Sequence, residues 1–240
     1  SEQTEELVGI VFNELIGFHK TSREIEPEIV KNYPELAEEF RNFGKKIGGF
    51  YYLLAAKEDE LMSIEDLKKH ERHKEEVDFI NNSRFIIANL KEDKQITHSD
   101  LTTYHTFIFG FDRPKRAGFI DLENLKLRNP AVDYAFLAFS PDINLSINTI
   151  LDIYEATINK KRFEGLIEPK PNLKKHENKK LLYAGFLSSI RGPAKSREMS
   201  IREPLEFKNY SKKHPMYIKP EIYTEKLENI IQFLKTSNRV

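Results

Sequence analysis

Apolar residues recur at helical spacing through the first segment of the chain: Leu7, Val8, Val11, Phe12, Leu15, Ile16 and Phe18. Thr4 stands where a cap belongs, and Glu5 and Glu6 fall in the first turn, so the pattern predicts an amphipathic helix. A second helical stretch is expected over 34–56, with Leu36, Phe40, Phe43, Ile47, Phe50 and Leu54 as its stripe and Gly48-Gly49 as a weak point. A third starts near Ser63, whose Ser-x-x-Asp pattern with Asp66 resembles a capping box. The charged run that follows, including His70 and His73, reads as a solvated helix face.

Between 96 and 122 the period changes. Thr106 to Phe109 and Ala117 to Ile120 are short β-prone runs separated by a loop with Gly110 and Pro114, which predicts a small hairpin. Asn129-Pro130 marks a turn, with Pro130 as the first residue of a helix through Phe139. Further helices are expected at about 146–159, 179–190 and 220–234, joined by Pro- and Lys-rich connections. The basic stretch of Arg191, Lys195, Arg197 and Arg202 reads as a solvated helix end. The expected fold class is mainly α with a small β-hairpin (α+β), with residues 1–240 forming one domain.

Composition narrows the class. The 240 residues carry 38 Lys plus Arg and 38 Asp plus Glu, so no global field favours nucleic acid or an anionic membrane. Seventeen Phe and ten Tyr supply enough apolar bulk for a core. The chain has no cysteine, which excludes disulfides, thiolate metal sites and cysteine nucleophiles. With no signal-like N-terminus and no membrane-length apolar run, a cytoplasmic protein is expected. Oligomeric state is not legible.

The chemistry concentrates in THSDLTTYHTF (97–107) and AGFIDLENLKLRNPAVDYAFL (117–137). Asp100 can accept the proton of an attacking hydroxyl. Asp121, 21 residues on and across the hairpin, can hold a divalent metal over nucleotide phosphates. His105, five residues after Asp100, stands at the far end of the loop and can help hold that metal. Such a division of labour suits phosphoryl transfer, where positioning and charge neutralisation carry catalysis. The same two His and two Asp could instead bind zinc or iron for hydrolysis.

These segments resemble the catalytic and metal-binding loops of the aminoglycoside phosphotransferase and choline kinase superfamily, relatives of protein kinases. That family reads His-x-Asp, four residues, Asn, then Ile-Asp-Phe/Trp-Gly/Glu and a short Asp-Pro-x-x-Asp. His98, Asp100, Ile120, Asp121, Glu123, Pro130 and Asp133 fall at the matching positions. The resemblance implies Asp100 as catalytic base, His98 as a brace of the loop, Asp121 as the main Mg2+ ligand and Asp133 as a structural residue. Glu123 could contact substrate or metal, or be a structural carboxylate.

Two positions depart from the pattern. His105 replaces the usual Asn, as in the 2''-aminoglycoside phosphotransferases, and imidazole is a poorer Mg2+ ligand than oxygen. Asn129 replaces an Asp. The resemblance further implies the helical C-lobe of a protein-kinase-like fold: a catalytic loop at 97–107, a metal-binding loop at 117–125 and a helical substrate subdomain at 141–240. No β-rich N-terminal nucleotide-binding lobe with a phosphate-pairing Lys is legible in the chain. The expected activity is ATP- or GTP-dependent phosphotransfer, with Mg2+, to a hydroxyl of a small molecule. The alternative is a catalytically incomplete kinase-like module that binds a partner or serves as a scaffold.

Overall fold

A computed structural model describes residues 2–32, 90, 93–110, 115–122, 125–202, 204–213 and 219–240. The described chain is mainly helical, with two small antiparallel sheets. Helix α1 spans Glu2–Asn32, α2 Ala131–Ala138, α3 Ile147–Phe163, α4 Leu173–Arg202, α5 Pro204–Lys213 and α6 Pro220–Thr236. The strands are β1 Gln95–Thr97, β2 Thr106–Phe109, β3 Arg116–Phe119 and β4 Lys126–Arg128. The helices expected at 34–56 and from Ser63, with His70 and His73, lie outside the described residues. So does Glu123.

The core is built around α2. Seven of its eight residues, all but Phe136, are buried, so it must be covered on every side. The stripe of α1, Val8, Val11, Phe12, Leu15 and Ile16, is buried as the period predicted. Its Phe12 ring meets Tyr134 of α2 edge-on, centroids 4.9 Å apart, and Tyr134 meets Tyr154 of α3 at 5.3 Å. Burying each such side chain stabilises the fold by roughly 1.5–3 kcal/mol.

Helix α4 crosses α2 closely at Gly185. A Cβ there would lie 2.5 Å from two ring carbons of the buried Phe139, so the crossing requires glycine. Ser146 caps α3 by accepting from the Thr149 amide at 3.1 Å. Arg239 ties the C-terminus to α3, donating to Asp152 at 2.8 Å and Glu155 at 2.7 Å.

Sheet register explains where the loops go. The expected hairpin is present: β2 pairs with β3, Thr106 opposite Phe119 and Phe109 opposite Arg116. A second pair, β1 with β4, sets Gln95 opposite Arg128 and Thr97 opposite Lys126. The connection 98–105 therefore leaves β1 for β2, and the connection 120–125 returns from β3 to β4. Both loops bridge the same two sheets, so they lie side by side.

Several boundaries differ from the sequence expectations. Pro130 is the N-cap of α2 rather than its first residue. Helix α1 continues through Pro27 to Asn32, and α4 begins at Leu173 and continues past Gly192-Pro193. Helix α5 occupies a stretch read as a connection. The basic stretch from Arg191 to Arg202 lies in the second half of α4, and its side chains are outside those described.

Candidate functional site

The loop 98–105 is clamped from beneath by one carboxylate. Asp133, fully buried in the first turn of α2, accepts from the amide of His98 at 3.0 Å and of Ser99 at 2.9 Å. Its third donor is Nε2 of His19 on α1, at 2.9 Å. A buried carboxylate is tolerable only when so satisfied. Asp133 thus does not cap its own helix; that task falls to Asn129, whose Oδ1 accepts from the Ala131 amide at 3.0 Å.

The clamp also holds an unusual backbone. Ser99 has φ +65° and Asp121 φ +62°, left-handed values that L-residues adopt at a cost of roughly 1–2 kcal/mol. Ser99 is held there by the Asp133 bond to its amide. Thr97 adds a short hydroxyl contact, 2.7 Å to Ser99 Oγ, and donates to the Lys126 carbonyl at 3.0 Å.

The two loops are laced together by histidines. His98, with no exposed surface, donates Nε2–H to the Ile120 carbonyl at 2.6 Å, leaving its Nδ1 buried without a partner. Its ring stacks on His105, centroids 5.8 Å apart and planes 15° apart. The Ile120 amide donates to the His105 carbonyl at 3.0 Å, completing the seam. A backbone inversion at Asp121 then turns its side chain toward His105: Nε2 lies 3.2 Å from Asp121 Oδ2.

The protonation of His105 decides what this pair can do. Its Nδ1 meets the Asp100 carbonyl, which only accepts, so Nδ1 carries a hydrogen. A neutral His105 then presents the lone pair of Nε2 to a carboxylate oxygen. Two acceptors at 3.2 Å need a cation between or beside them, a proton or a metal ion. Neighbouring ligands on one Mg2+ at ~2.1 Å stand about 3.0 Å apart, so the spacing suits two positions of a single divalent ion. Both side chains reach solvent, at 21% and 35% exposure, so an ion can arrive.

Of the sequence-predicted residues, His98, His105, Asp121 and Asp133 are brought into one connected network. Asp100 joins it through its carbonyl. Among the described residues, no group of three or more His, Cys, Asp or Glu side chains gathers in the manner of a complete metal site. Thr103 donates from its hydroxyl to Asp142, tying the loop to the end of α2's following turn.

His19 escaped sequence reasoning. It continues the buried stripe of α1 one turn beyond Leu15, and an ionisable residue on an apolar face was the available signal. Burial, opposed by the hydrogen bond to Asp133, pulls its pKa down to about 4. Lys161 of α3 was missed too. It is buried with its ammonium 4.4 Å over the Tyr134 ring, and burial lowers its pKa to about 7. Among the described residues no helix is long and apolar enough to cross a membrane. Compared with known proteins, the chain matches no family model and no curated sequence.

Proposed function

We propose that the chain carries the catalytic and metal-binding loops of an ATP- or GTP-dependent phosphotransferase acting on a hydroxyl of a small molecule. The observation that supports this reading best is the 3.2 Å approach of His105 Nε2 and Asp121 Oδ2, with His105 Nδ1 committed to the Asp100 carbonyl. Hydrogen bonding thereby points a lone pair and a carboxylate at one place beside the proposed base. The residues present fit a divalent ion at that position, with Asp121 as the oxygen ligand and His105 as the nitrogen one. When bound, the ion would supply charge neutralisation for the transferring phosphoryl group.

The remaining work falls to the chain. Asp100 takes the proton of the acceptor hydroxyl as its oxygen forms the new bond to the γ-phosphorus. The bond from that phosphorus to the β,γ-bridging oxygen breaks, and the nucleoside diphosphate leaves. Asp133, His98 and His19 hold the loop and touch no reactant, so they are positioning residues. Phe107 and Phe109 are exposed on one face of β2, the strand that follows His105, and offer a stacking surface for a purine.

A second reading keeps the kinase-like module but not the catalysis. It is favoured by the exposed apolar side chains of this region, Tyr104, Phe107, Ile108, Phe109, Ile120 and Leu122, of which Phe107 and Phe109 share one face of β2 and could meet a partner protein. Nucleoside diphosphate release, measured with ATP, Mg2+ and a panel of small alcohols, aminoglycosides and sugars, separates the two. Phosphotransfer that falls at least about a hundredfold in Asp100→Asn supports the enzyme. Mg2+-independent turnover, or turnover unchanged in Asp100→Asn, overturns it.

A further inference from the structure

Behind the clamped loop lies a cavity of about 420 Å3, between the end of α1, β1 and the connection 164–172. Its walls include His19, Arg23, Gln95 and Lys161. We propose that this cavity binds an oxyanion, a phosphate or carboxylate group of a small molecule, held by Lys161 and Arg23 and sensed by the catalytic loop through His19. Anion binding here is independent of the phosphotransferase reading; only the catalytic role of the loop it reports to rests on that reading.

Donors without acceptors define the pocket. The Gln95 side chain is buried; its Oε1 accepts from Arg23 Nε at 3.1 Å, and its Nε2 has no partner. Lys161, 5% exposed, forms no ion pair among the described residues, and neither does Arg23, which also donates from Nη1 to the Leu166 carbonyl at 2.8 Å. A buried ammonium without a direct ion pair is costly, and an anion beside it would relieve that cost. Burial, aided by the neighbouring Arg23 guanidinium, pulls Lys161 down to about 7 even though Glu177 and Asp133 oppose the shift, so those carboxylates compensate the buried amine only in part.

The carboxylates that share the cavity wall are already engaged. Lys180 holds Asp93 at 2.6 Å and Glu177 at 3.3 Å. Glu168 and Lys170 are both exposed, and their formal charges cancel. Four cationic side chains (Arg23, Lys161, Lys170, Lys180) face three carboxylates, so the lining carries a formal +1. A cation would meet Lys161 and the Gln95 amide hydrogens, which repel it. The volume far exceeds one water, so hydration alone is the competing occupancy.

The connection to the loop is direct. His19 Nδ1 is buried and lacks a partner, while its Nε2 bonds the carboxylate that holds the His98 and Ser99 amides. An oxyanion in the cavity would favour a hydrogen on Nδ1, charging the ring and strengthening its grip on Asp133.

Thermal melts with inorganic phosphate, at ionic strength held constant with chloride, test the proposal. The expected result is a saturable rise in Tm that chloride alone does not give. Lys161→Met, which replaces a buried charge by an apolar chain of similar length, should abolish the response, and Arg23→Gln should weaken half-saturation at least about tenfold. The response should survive in Asp121→Asn, which separates this cavity from the loop site. A matching response to malonate supports oxyanions in general; phosphate alone supports a phosphate-bearing ligand. No response beyond chloride overturns the proposal, leaving the cavity hydrated only. So does a response that persists in both Lys161→Met and Arg23→Gln, or one lost in Asp121→Asn.

Discussion

Replacing Asp133 by Asn keeps the shape of the clamp beneath the catalytic loop and removes its charge. The carboxylate accepts three hydrogen bonds: Oδ2 from the His98 amide and His19 Nε2, Oδ1 from the Ser99 amide. An amide can keep its oxygen for the first pair, but its NH2 then faces the Ser99 N–H, donor against donor. One charge-assisted bond is lost, at about 1.5–3 kcal/mol, and the two survivors weaken to neutral strength. The net cost is about 3 kcal/mol. For a chain of this size each kcal/mol lowers Tm by roughly 2–4 °C, so calorimetry should show a fall of about 6–12 °C. Amide exchange at His98 and Ser99 should accelerate with it. Asp152→Asn, at an exposed ion pair, is the comparison and should change stability by under about 0.5 kcal/mol. A Tm within about 2 °C of wild type, or unchanged exchange at those two amides, would refute the clamp.

Three other outcomes follow from named contacts. Because the folded-state pKa of His19 lies near 4, below its ordinary value, the unfolded chain takes up the proton first as pH falls. The His19 contribution is therefore intact above about pH 6.5 and declines toward pH 4, by up to about 3 kcal/mol; urea melts should show this slope flattened in His19→Gln, and an equal slope in both proteins contradicts it. Gly185→Ala gains up to about 1 kcal/mol of helix propensity but drives a methyl into Phe139, so a net loss of roughly 1–2 kcal/mol is expected, relieved by Phe139→Leu. A higher Tm in Gly185→Ala alone would show that the ring gives way. In Asp100→Asn, metal binding should persist while phosphotransfer fails, and loss of both together would count against Asp100 as the base.

Periodicity located α1, whose apolar stripe is long and faces the core, while α2, apolar on every side, was marked instead by the Asn129-Pro130 turn. The hairpin was legible from β-prone runs flanking Gly110 and Pro114. The β1–β4 pair was not, since Gln-Ile-Thr and Lys-Leu-Arg are three residues each and carry no readable alternation. Helix α4 runs well beyond the expected 179–190, through Gly192-Pro193, and α1 continues through Pro27, because tertiary packing can override a local helix breaker. At the site, residue types and spacing singled out His98, Asp100, His105 and Asp121, and the family resemblance added Asp133. Their connections were hidden because they run through backbone: the Asp100 and Ile120 carbonyls and the His98 and Ser99 amides. His19 lies 114 residues from Asp133, a pairing no local pattern encodes.

Binding of Mn2+ in the presence of ATP, followed by electron paramagnetic resonance, tests the His105–Asp121 site most directly. Saturable binding by the wild-type chain, weakened at least about tenfold in both Asp121→Asn and His105→Ala, is the expected result. Mn2+ affinity unchanged by either substitution would contradict a metal-binding role for the pair.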